Sequence, residues 1–217
     1  MTIRNPQSEI HNPPRPRPIV GLVGQVCAGK STVAEAFRAW GAVVYNADKA
    51  VRELYSLPET IAAVRSLFGD TVLDLRGQVD RKALAEIVFS SPEKLALLTS
   101  QVIFPRTGKA IAEAIDAFRT SDAPVLLLDA PTLFESGRDS VCDKIVFVAA
   151  PLERRRKWAA ERGWNEGELE RRDSRLMSET AKRTRADAII DNDGTREDVE
   201  DAVGSLLTNW GVKRKQV

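Results

Sequence analysis

The sequence feature that most constrains the fold is a glycine-bounded stretch, GLVGQVCAGKST, at residues 21–32. It contains the spacing G-x-x-x-x-G-K-[ST], whose fixed positions are Gly24, Gly29, Lys30 and Ser31. An apolar run precedes the stretch, and apolar residues recur at helical spacing after it. The sequence therefore predicts a buried strand, a tight loop and a helix, which is the context in which this spacing binds phosphate.

The chemistry of such a loop follows from its backbone. Its inward N–H groups and the positive end of the following helix dipole together hold the phosphates of a nucleotide. We predict that the Lys30 ammonium contacts the β- and γ-phosphates and that the Ser31 hydroxyl coordinates Mg²⁺. Cys27 has two interpretations, a small filler of the loop or a redox-sensitive thiol. The predicted nucleotide-binding residues of this stretch are Gly24, Cys27, Ala28, Gly29, Lys30, Ser31 and Thr32.

The composition narrows the class of protein. The 217 residues, of which 43% are hydrophobic, are enough for one domain with a sizeable core. The net charge of +1 gives no reason to expect a nucleic-acid or membrane partner. Two cysteines, far apart in the chain, predict neither a disulfide framework nor a zinc site, which is typical of a cytoplasmic protein.

The histidine content restricts the chemistry further. The only histidine, His11, lies in the proline-rich segment HNPPRPRP, outside the predicted core. Serine–histidine–aspartate catalysis and histidine zinc sites are therefore excluded from that core. A general base in this protein must be a carboxylate, a lysine or a water molecule.

The remaining apolar runs predict the architecture. Residues 1–18 carry five of the eleven prolines and are predicted to form a disordered arm, which a single domain at residues 19–217 follows. Four further apolar runs predict strands at residues 42–45, 125–129, 145–150 and 188–191. Their alternation with helices predicts an α/β fold, a doubly wound five-stranded parallel sheet with helices on both faces. Ligands bind such sheets at the carboxyl ends of the strands, where the glycine-bounded loop, Asp48, Asp129 and Asn192 fall.

Two segments between the strands are predicted to be helical. In residues 49–121, Ser91-Pro92-Glu93 marks the start of one helix, and Pro105 is expected to interrupt the chain and start another. Residues 153–185 hold eleven Lys or Arg residues against seven Asp or Glu residues. This second segment is either a lid whose arginines contact a transferring phosphoryl group or a solvated pair of helices.

Two aspartates at strand ends have two interpretations each. The Asp48 carboxylate can orient an acceptor hydroxyl and take its proton, or it can cap the helix that begins beside it. The Asp129 carboxylate can bind Mg²⁺ as a Walker-B acid does, or it can stabilise the turn before Pro131. The residue types alone leave both questions open.

Four segments together resemble the dephospho-coenzyme A kinases. They occur in the order of that family and with nearly its spacing: GLVGQVCAGKSTVAEAFRAWGAVVYNADKAVREL, LAEIVFSSPEKL, LLLDAPTLFESG and KRTRADAIIDNDG. The resemblance implies a P-loop kinase that transfers the γ-phosphoryl group of ATP to the ribose 3′-hydroxyl of dephospho-coenzyme A. It also implies a substrate-binding insertion at about residues 49–121 and a lid at about residues 153–185.

The same resemblance implies roles for individual residues. Asp48 becomes the catalytic base, Lys30 the phosphate-binding lysine and Arg162 a catalytic arginine of the lid. Arg172 becomes a second lid arginine that contacts the nucleotide, and Asn192 falls in the loop expected to contact adenine. The acceptor substrate is expected to contact Asp48, Leu133, Phe134 and Glu135.

Five positions depart from the family pattern. Side chains replace loop glycines at Gln25 and Cys27, phenylalanine replaces a histidine at Phe104, and a lid arginine and a lid glutamine are replaced at Trp158 and Leu176. These departures keep two alternatives open: a non-catalytic nucleotide-binding relative, and a kinase of the same architecture that acts on another small-molecule hydroxyl. A GTPase is excluded because the chain has no Asn-Lys-x-Asp motif to recognise guanine. The sequence does not indicate an oligomeric state.

Overall fold

A computed structural model describes residues 3–4 and 17–215 of the chain. The greater part of the predicted proline-rich arm, with His11, lies outside the described residues. The chain divides into two compact units, one formed by Met1–Tyr45 with Phe118–Val217 and the other by Asn46–Ala117. The second unit contains most of the segment that was predicted as an insertion.

The first unit is built on a sheet that has six strands within the described residues. They are β1 (Ile3–Arg4), β2 (Ile19–Gly24), β3 (Val43–Asn46), β4 (Leu126–Asp129), β5 (Lys144–Ala149) and β6 (Ala188–Asp191). Their spatial order is β1-β6-β5-β2-β4-β3, and β2 pairs in parallel with both β4 and β5. The predicted five-stranded parallel sheet is confirmed. It is extended by β1, an antiparallel edge strand beside β6, which we did not predict because two residues carry no periodicity.

The register brings the carboxyl ends of the strands to one edge of the sheet. Leu22 of β2 lies opposite Asp129, the last residue of β4, and Gly24 lies opposite Val148 of β5. Strand β6 runs parallel to β5 and ends at the same edge, where Asn192 follows it. The glycine-bounded loop, the acid of β4 and the residues after β6 therefore share this edge, as the sequence predicts.

The helices follow the alternation that the sequence predicts. The first unit contains α1 (Lys30–Ala39), α7 (Leu152–Glu161), α8 (Glu168–Asp173), α9 (Glu179–Arg185) and α10 (Arg196–Asn209). The second unit contains α2 (Ala47–Leu54), α3 (Pro58–Phe68), α4 (Arg81–Phe89), α5 (Pro92–Leu98) and most of α6 (Phe104–Thr120). Among the described residues, no helix combines the length and the apolar character that crossing a bilayer requires.

Helices cover both faces of the sheet. On one face, Leu22 of β2 belongs to a buried apolar cluster with Phe37 of α1 and Leu207 of α10. Side chains of a strand alternate between faces, so Phe147 of β5, whose two neighbours join that cluster, points to the opposite face. There α9 contacts β2 and β5, and the Arg183 guanidinium lies 5.2 Å from the centre of the Phe147 ring.

The second unit has an apolar core of its own, formed by Val64, Val72, Leu84, Val88, Leu98 and Val102. Ser91 caps α5, as predicted, because its hydroxyl accepts a hydrogen bond from the Lys94 N–H at 3.3 Å. The helix predicted to start at Pro105 is present, since α6 begins at Phe104. The chain before it is not interrupted, because a π-helical turn, Thr99–Ile103, leads from α5 directly into α6.

One prediction concerns the stability of the first unit at high pH. Burial raises the pKa of the Cys142 thiol from its ordinary value of 9.0 to about 12. Between these two values the unfolded chain has released the proton that the folded protein keeps, so the free energy of unfolding falls as the pH rises. As the pH rises, the free energy of unfolding of the wild type should fall more steeply than that of Cys142→Ala, by up to about 1.4 kcal/mol per pH unit. Urea denaturation of both proteins at several pH values above 9 measures the difference, and equal slopes would contradict this account.

Candidate active site

The glycine-bounded loop joins β2 to α1, and its two fixed glycines are required by close contacts. A Cβ atom on Gly24 would lie 2.6 Å from the Val148 carbonyl oxygen of the paired strand. Gly29 has a φ of +83°, and a Cβ atom there would overlap the side-chain amide of Asn192. Any larger residue at either position would displace the loop backbone, so the path of the loop depends on both glycines.

The loop residues predicted to bind phosphate lie together at the start of α1. Lys30 is the first residue of that helix, and its ammonium donates a hydrogen bond to the Gln25 carbonyl at 3.1 Å. Ser31 and Thr32 follow in the first turn, where Ser31 is exposed. The positive end of the α1 dipole and the exposed Ser31 hydroxyl both favour an anion at this turn.

The Asn192 side chain is hydrogen-bonded to the backbone of the loop. Its side chain is 4% exposed, and its amide nitrogen donates a hydrogen bond to the Ala28 carbonyl at 2.9 Å. Its own backbone N–H donates to the Ala149 carbonyl at 2.7 Å. The side chain contacts the loop backbone, a role that the sequence pattern did not suggest, and the contact of this segment with adenine stays a prediction.

Asp129 is the acidic residue at the end of β4, the strand that pairs with β2. It ends β4, is 7% exposed, and lies opposite Leu22, two residues before the loop begins at Gly24. Its carboxylate and the Ser31 hydroxyl are both oxygen donors, which Mg²⁺ prefers. Within residues 17–215, no group of three or more His, Cys, Asp or Glu side chains is placed to hold a metal. A metal held by one or two protein oxygens and by substrate phosphates fits this donor set.

The two predicted lid arginines have different surroundings. Arg162 follows the last residue of α7, and its guanidinium contacts the Cys27 sulfur of the loop at 3.5 Å. Arg172 of α8 donates a hydrogen bond to Glu168 at 2.6 Å and lies 4.2 Å from the centre of the Trp164 ring. The structure therefore brings Arg162 to the loop, and it engages Arg172 with side chains of its own segment.

The side chains of the segment Leu133-Phe134-Glu135 contact other residues of the first unit. Leu133 is fully buried, and Phe134 is 6% exposed with the Arg185 guanidinium 4.0 Å from its ring centre. Both side chains are packing residues, so their predicted contact with the acceptor substrate is not supported. Glu135 accepts a hydrogen bond from the Met177 N–H at 2.7 Å and pairs with the ammonium of Lys182 at 3.0 Å.

Lys182 is a structural residue that the sequence reasoning missed. Its side chain is 2% exposed, and its ammonium also donates to the Pro131 carbonyl at 2.8 Å. In the sequence it is one of eleven basic residues in a charged segment, and nothing there marks it as buried. Lys182 therefore connects α9 to the segment that follows β4, through its contacts with Pro131 and Glu135.

Replacing Lys182 by methionine should lower the free energy of unfolding by about 2 kcal/mol, because the buried ammonium loses its charge-assisted contacts with the Pro131 carbonyl and the Glu135 carboxylate. Arg185→Met is the matched control. Arg185 lies on the same helix and pairs with Asp139, but 43% of its side chain is exposed. Its loss should cost about 1 kcal/mol or less. Denaturant unfolding measures both values, and equal losses would refute the importance of the buried pair.

Asp48 is the second residue of α2, in the unit Asn46–Ala117. The cap of α2 is Asn46, whose side chain accepts a hydrogen bond from the Lys49 N–H at 2.7 Å. The capping interpretation of Asp48 is therefore wrong, since another residue already serves as the cap. Phe104, one of the five positions that depart from the pattern described above, begins α6 in the same unit.

A glycine-bounded loop between a central parallel strand and a helix, with an acid at the end of the next strand, defines a P-loop nucleotide-binding protein of the α/β class. The family model described as "Dephospho-CoA kinase" matches residues 18–198. This chain belongs to the dephospho-CoA kinase family, which confirms the resemblance found in the sequence.

Relatives and solved structures agree with this assignment. A protein of Rhodopirellula baltica named dephospho-CoA kinase is 34% identical over 92% of this chain and 94% of its own length. One of Corynebacterium diphtheriae with the same name is 39% identical over 84% of this chain and 92% of its own length. The crystal structure of TT1252 from Thermus thermophilus has a TM-score of 0.78 at 34% identity, over 90% of this chain and 98% of that one.

Proposed function

We propose that this protein transfers the γ-phosphoryl group of ATP to the ribose 3′-hydroxyl of dephospho-coenzyme A, giving coenzyme A and ADP. The observation that carries the proposal is the identity of 34% and 39% to relatives named dephospho-CoA kinase, over more than four fifths of the chain. The complete phosphate loop supports it, because Gly24, Gly29, Lys30 and Ser31 are all present with close-packed glycines. The substrate is a small molecule, and we propose that the reaction takes place in the cytoplasm.

The loop residues bind and orient the triphosphate in this proposal. The loop backbone and the N-terminus of α1 surround the phosphates, and the Lys30 ammonium leaves the Gln25 carbonyl to contact them. Ser31 and Asp129 would hold Mg²⁺, which neutralises negative charge on the phosphate oxygens when it is bound. Arg162 and Arg172 contribute positive charge from the lid to the transferring group.

Asp48 acts as the base in this proposal. Its carboxylate accepts the proton of the 3′-hydroxyl as the oxygen forms its bond to phosphorus and the bond to the leaving ADP oxygen breaks. No histidine is present in residues 17–215, and a carboxylate is one of the groups that can accept this proton in its place. The proposed reaction needs no covalent intermediate, because positioning and charge stabilisation are sufficient for phosphoryl transfer.

A coupled ADP-release assay with ATP and Mg²⁺ tests the proposal. We expect turnover that requires dephospho-coenzyme A and stops when the metal is chelated. Nucleosides and shikimate serve as control acceptors of the same reaction type. Turnover with one of these and not with dephospho-coenzyme A would assign a different acceptor. ATP binding without ADP release with any acceptor would favour the non-catalytic relative.

A further inference from the structure

A largely buried ion pair joins two lid helices at the phosphate loop. Arg155 of α7 is 4% exposed, and its guanidinium donates a hydrogen bond to the Asp173 carboxylate of α8 at 2.6 Å. Three quarters of the Asp173 side chain is also covered, since 25% of it is exposed. Charge-assisted hydrogen bonds of this length are among the stronger ones in proteins.

Both members of the pair also bind the backbone of Val26, the third residue of the loop motif. The Arg155 guanidinium donates to the Val26 carbonyl at 3.0 Å, and Asp173 accepts from the Val26 N–H at 3.1 Å. The donor and the acceptor of one residue are thus held by two side chains of opposite charge. This contact fixes the peptide groups on either side of Val26 in one orientation.

The next residue explains why such a contact is needed. Cys27 has a φ of +57°, and it is the only non-glycine residue in residues 17–215 with a positive φ. The left-handed region costs free energy for a residue with a Cβ atom, so the loop conformation requires compensation from its surroundings. The Cys27 side chain is buried with Ala159 of α7 and Leu169 of α8, the same two helices that carry the ion pair.

We propose that Arg155 and Asp173 are positioning residues for ATP, because they hold the phosphate loop in its binding conformation before the nucleotide arrives. The inference rests on the proposed function only in so far as the loop binds ATP. When a binding conformation is populated only in part, the apparent affinity falls by that fraction. Loss of the brace formed by Arg155 and Asp173 therefore weakens ATP binding and leaves acceptor binding unchanged.

A second ion pair between the same helices provides a matched control. Arg156 of α7 pairs with Glu170 of α8 at 3.0 Å, and about half of each side chain is exposed. The described hydrogen bonds and ion pairs of Arg156 are to Glu153 and Glu170, and none of them reaches the loop. Variants of this second pair test whether the loss of any ion pair between α7 and α8 is sufficient to weaken ATP binding.

The experiment measures the dissociation constant of ATP by calorimetry for Arg155→Met, Asp173→Asn and Arg156→Met, together with each melting temperature and the dissociation constant of dephospho-coenzyme A. Arg155→Met should weaken ATP binding about tenfold, as expected for loss of a charge-assisted hydrogen bond. Asp173→Asn should have a smaller effect in the same direction, because the amide oxygen can still accept from Val26. Arg156→Met should stay within about twofold of the wild type.

An unchanged ATP affinity in Arg155→Met, or an equal loss in Arg156→Met, would overturn the proposal. An equal loss of affinity for ATP and for dephospho-coenzyme A would also overturn it, because that result indicates a general structural defect. If Arg155→Met does not fold, the comparison of Asp173→Asn with Glu170→Gln decides by the same criterion. Because binding is measured without turnover, a wild type that binds ATP and makes no ADP would refute the proposed function and leave this test intact. A wild type that does not bind ATP would refute both.

Discussion

Replacing Asp48 by asparagine is expected to lower kcat with dephospho-coenzyme A by about 10²- to 10⁴-fold, the range for loss of a general base. Asparagine keeps the size and a hydrogen-bonding oxygen but cannot accept the proton of the hydroxyl. The affinity for ATP should stay the same, because in the proposed reaction the Asp48 carboxylate contacts the acceptor hydroxyl and does not bind the triphosphate. Steady-state kinetics with each substrate varied in turn measures the effect.

The control for this variant is Glu53→Gln, which removes an exposed carboxylate from the same helix. Glu53 pairs with Lys49 at 3.7 Å, and both side chains are about two thirds exposed. Its removal should leave kcat within about twofold of the wild type, because exposed pairs contribute little. If Asp48→Asn keeps most of its kcat, the base is another group and the assignment of Asp48 fails.

Arg162→Ala is expected to lower kcat by about 10³-fold or more, the range for an arginine that stabilises the transferring phosphoryl group. The effect should fall on kcat more than on KM for ATP, because negative charge on the transferring group is greatest in the transition state. Arg162 already contacts the loop through Cys27, at 3.5 Å from its sulfur. Pre-steady-state measurement of ADP formation separates the chemical step from product release.

Arg171→Ala is the matched control for this prediction. Arg171 belongs to the same basic segment, 65% of its side chain is exposed, and it pairs with Glu168 of its own helix. Its removal should change kcat by less than about twofold. Equal losses in the two variants would indicate that the overall charge of the lid matters, and that Arg162 has no specific role.

Much of the fold could be predicted because its signals are local. The sequence of β2, the loop and α1 lies within about twenty residues, and each part has its own pattern of apolar residues or glycine. Strands β2, β4 and β5 were found for the same reason, since they are buried on both faces and such a strand is a continuous apolar run. The sequence left open whether Asp48 caps α2, because Asn46 and Asp48 are both good caps and are only two positions apart; the cap is Asn46.

The candidate site could be predicted only in part, because its supports come from distant parts of the chain. Asn192 reaches Ala28 across 164 positions, and Arg155 reaches Val26 across 129. Neither contact has a local pattern, and the Asn192 contact with the loop was not predicted. Leu133 was interpreted as an acceptor contact from the resemblance alone, and its complete burial assigns it to packing.

By itself, the sequence determined the class of fold, the position of the phosphate loop and the membership of the family, because periodicity, glycine spacing and ordered motifs are properties of neighbouring residues. Only the tertiary structure decided which charged residues of the basic segment are buried and hydrogen-bonded to other parts of the chain. Arg155 and Lys182 are buried and hydrogen-bonded, whereas Arg156 and Arg171 are exposed. The physical reason is that burial depends on which surfaces meet when the chain folds, and charged residues of similar sequence context can lie on either side of that boundary.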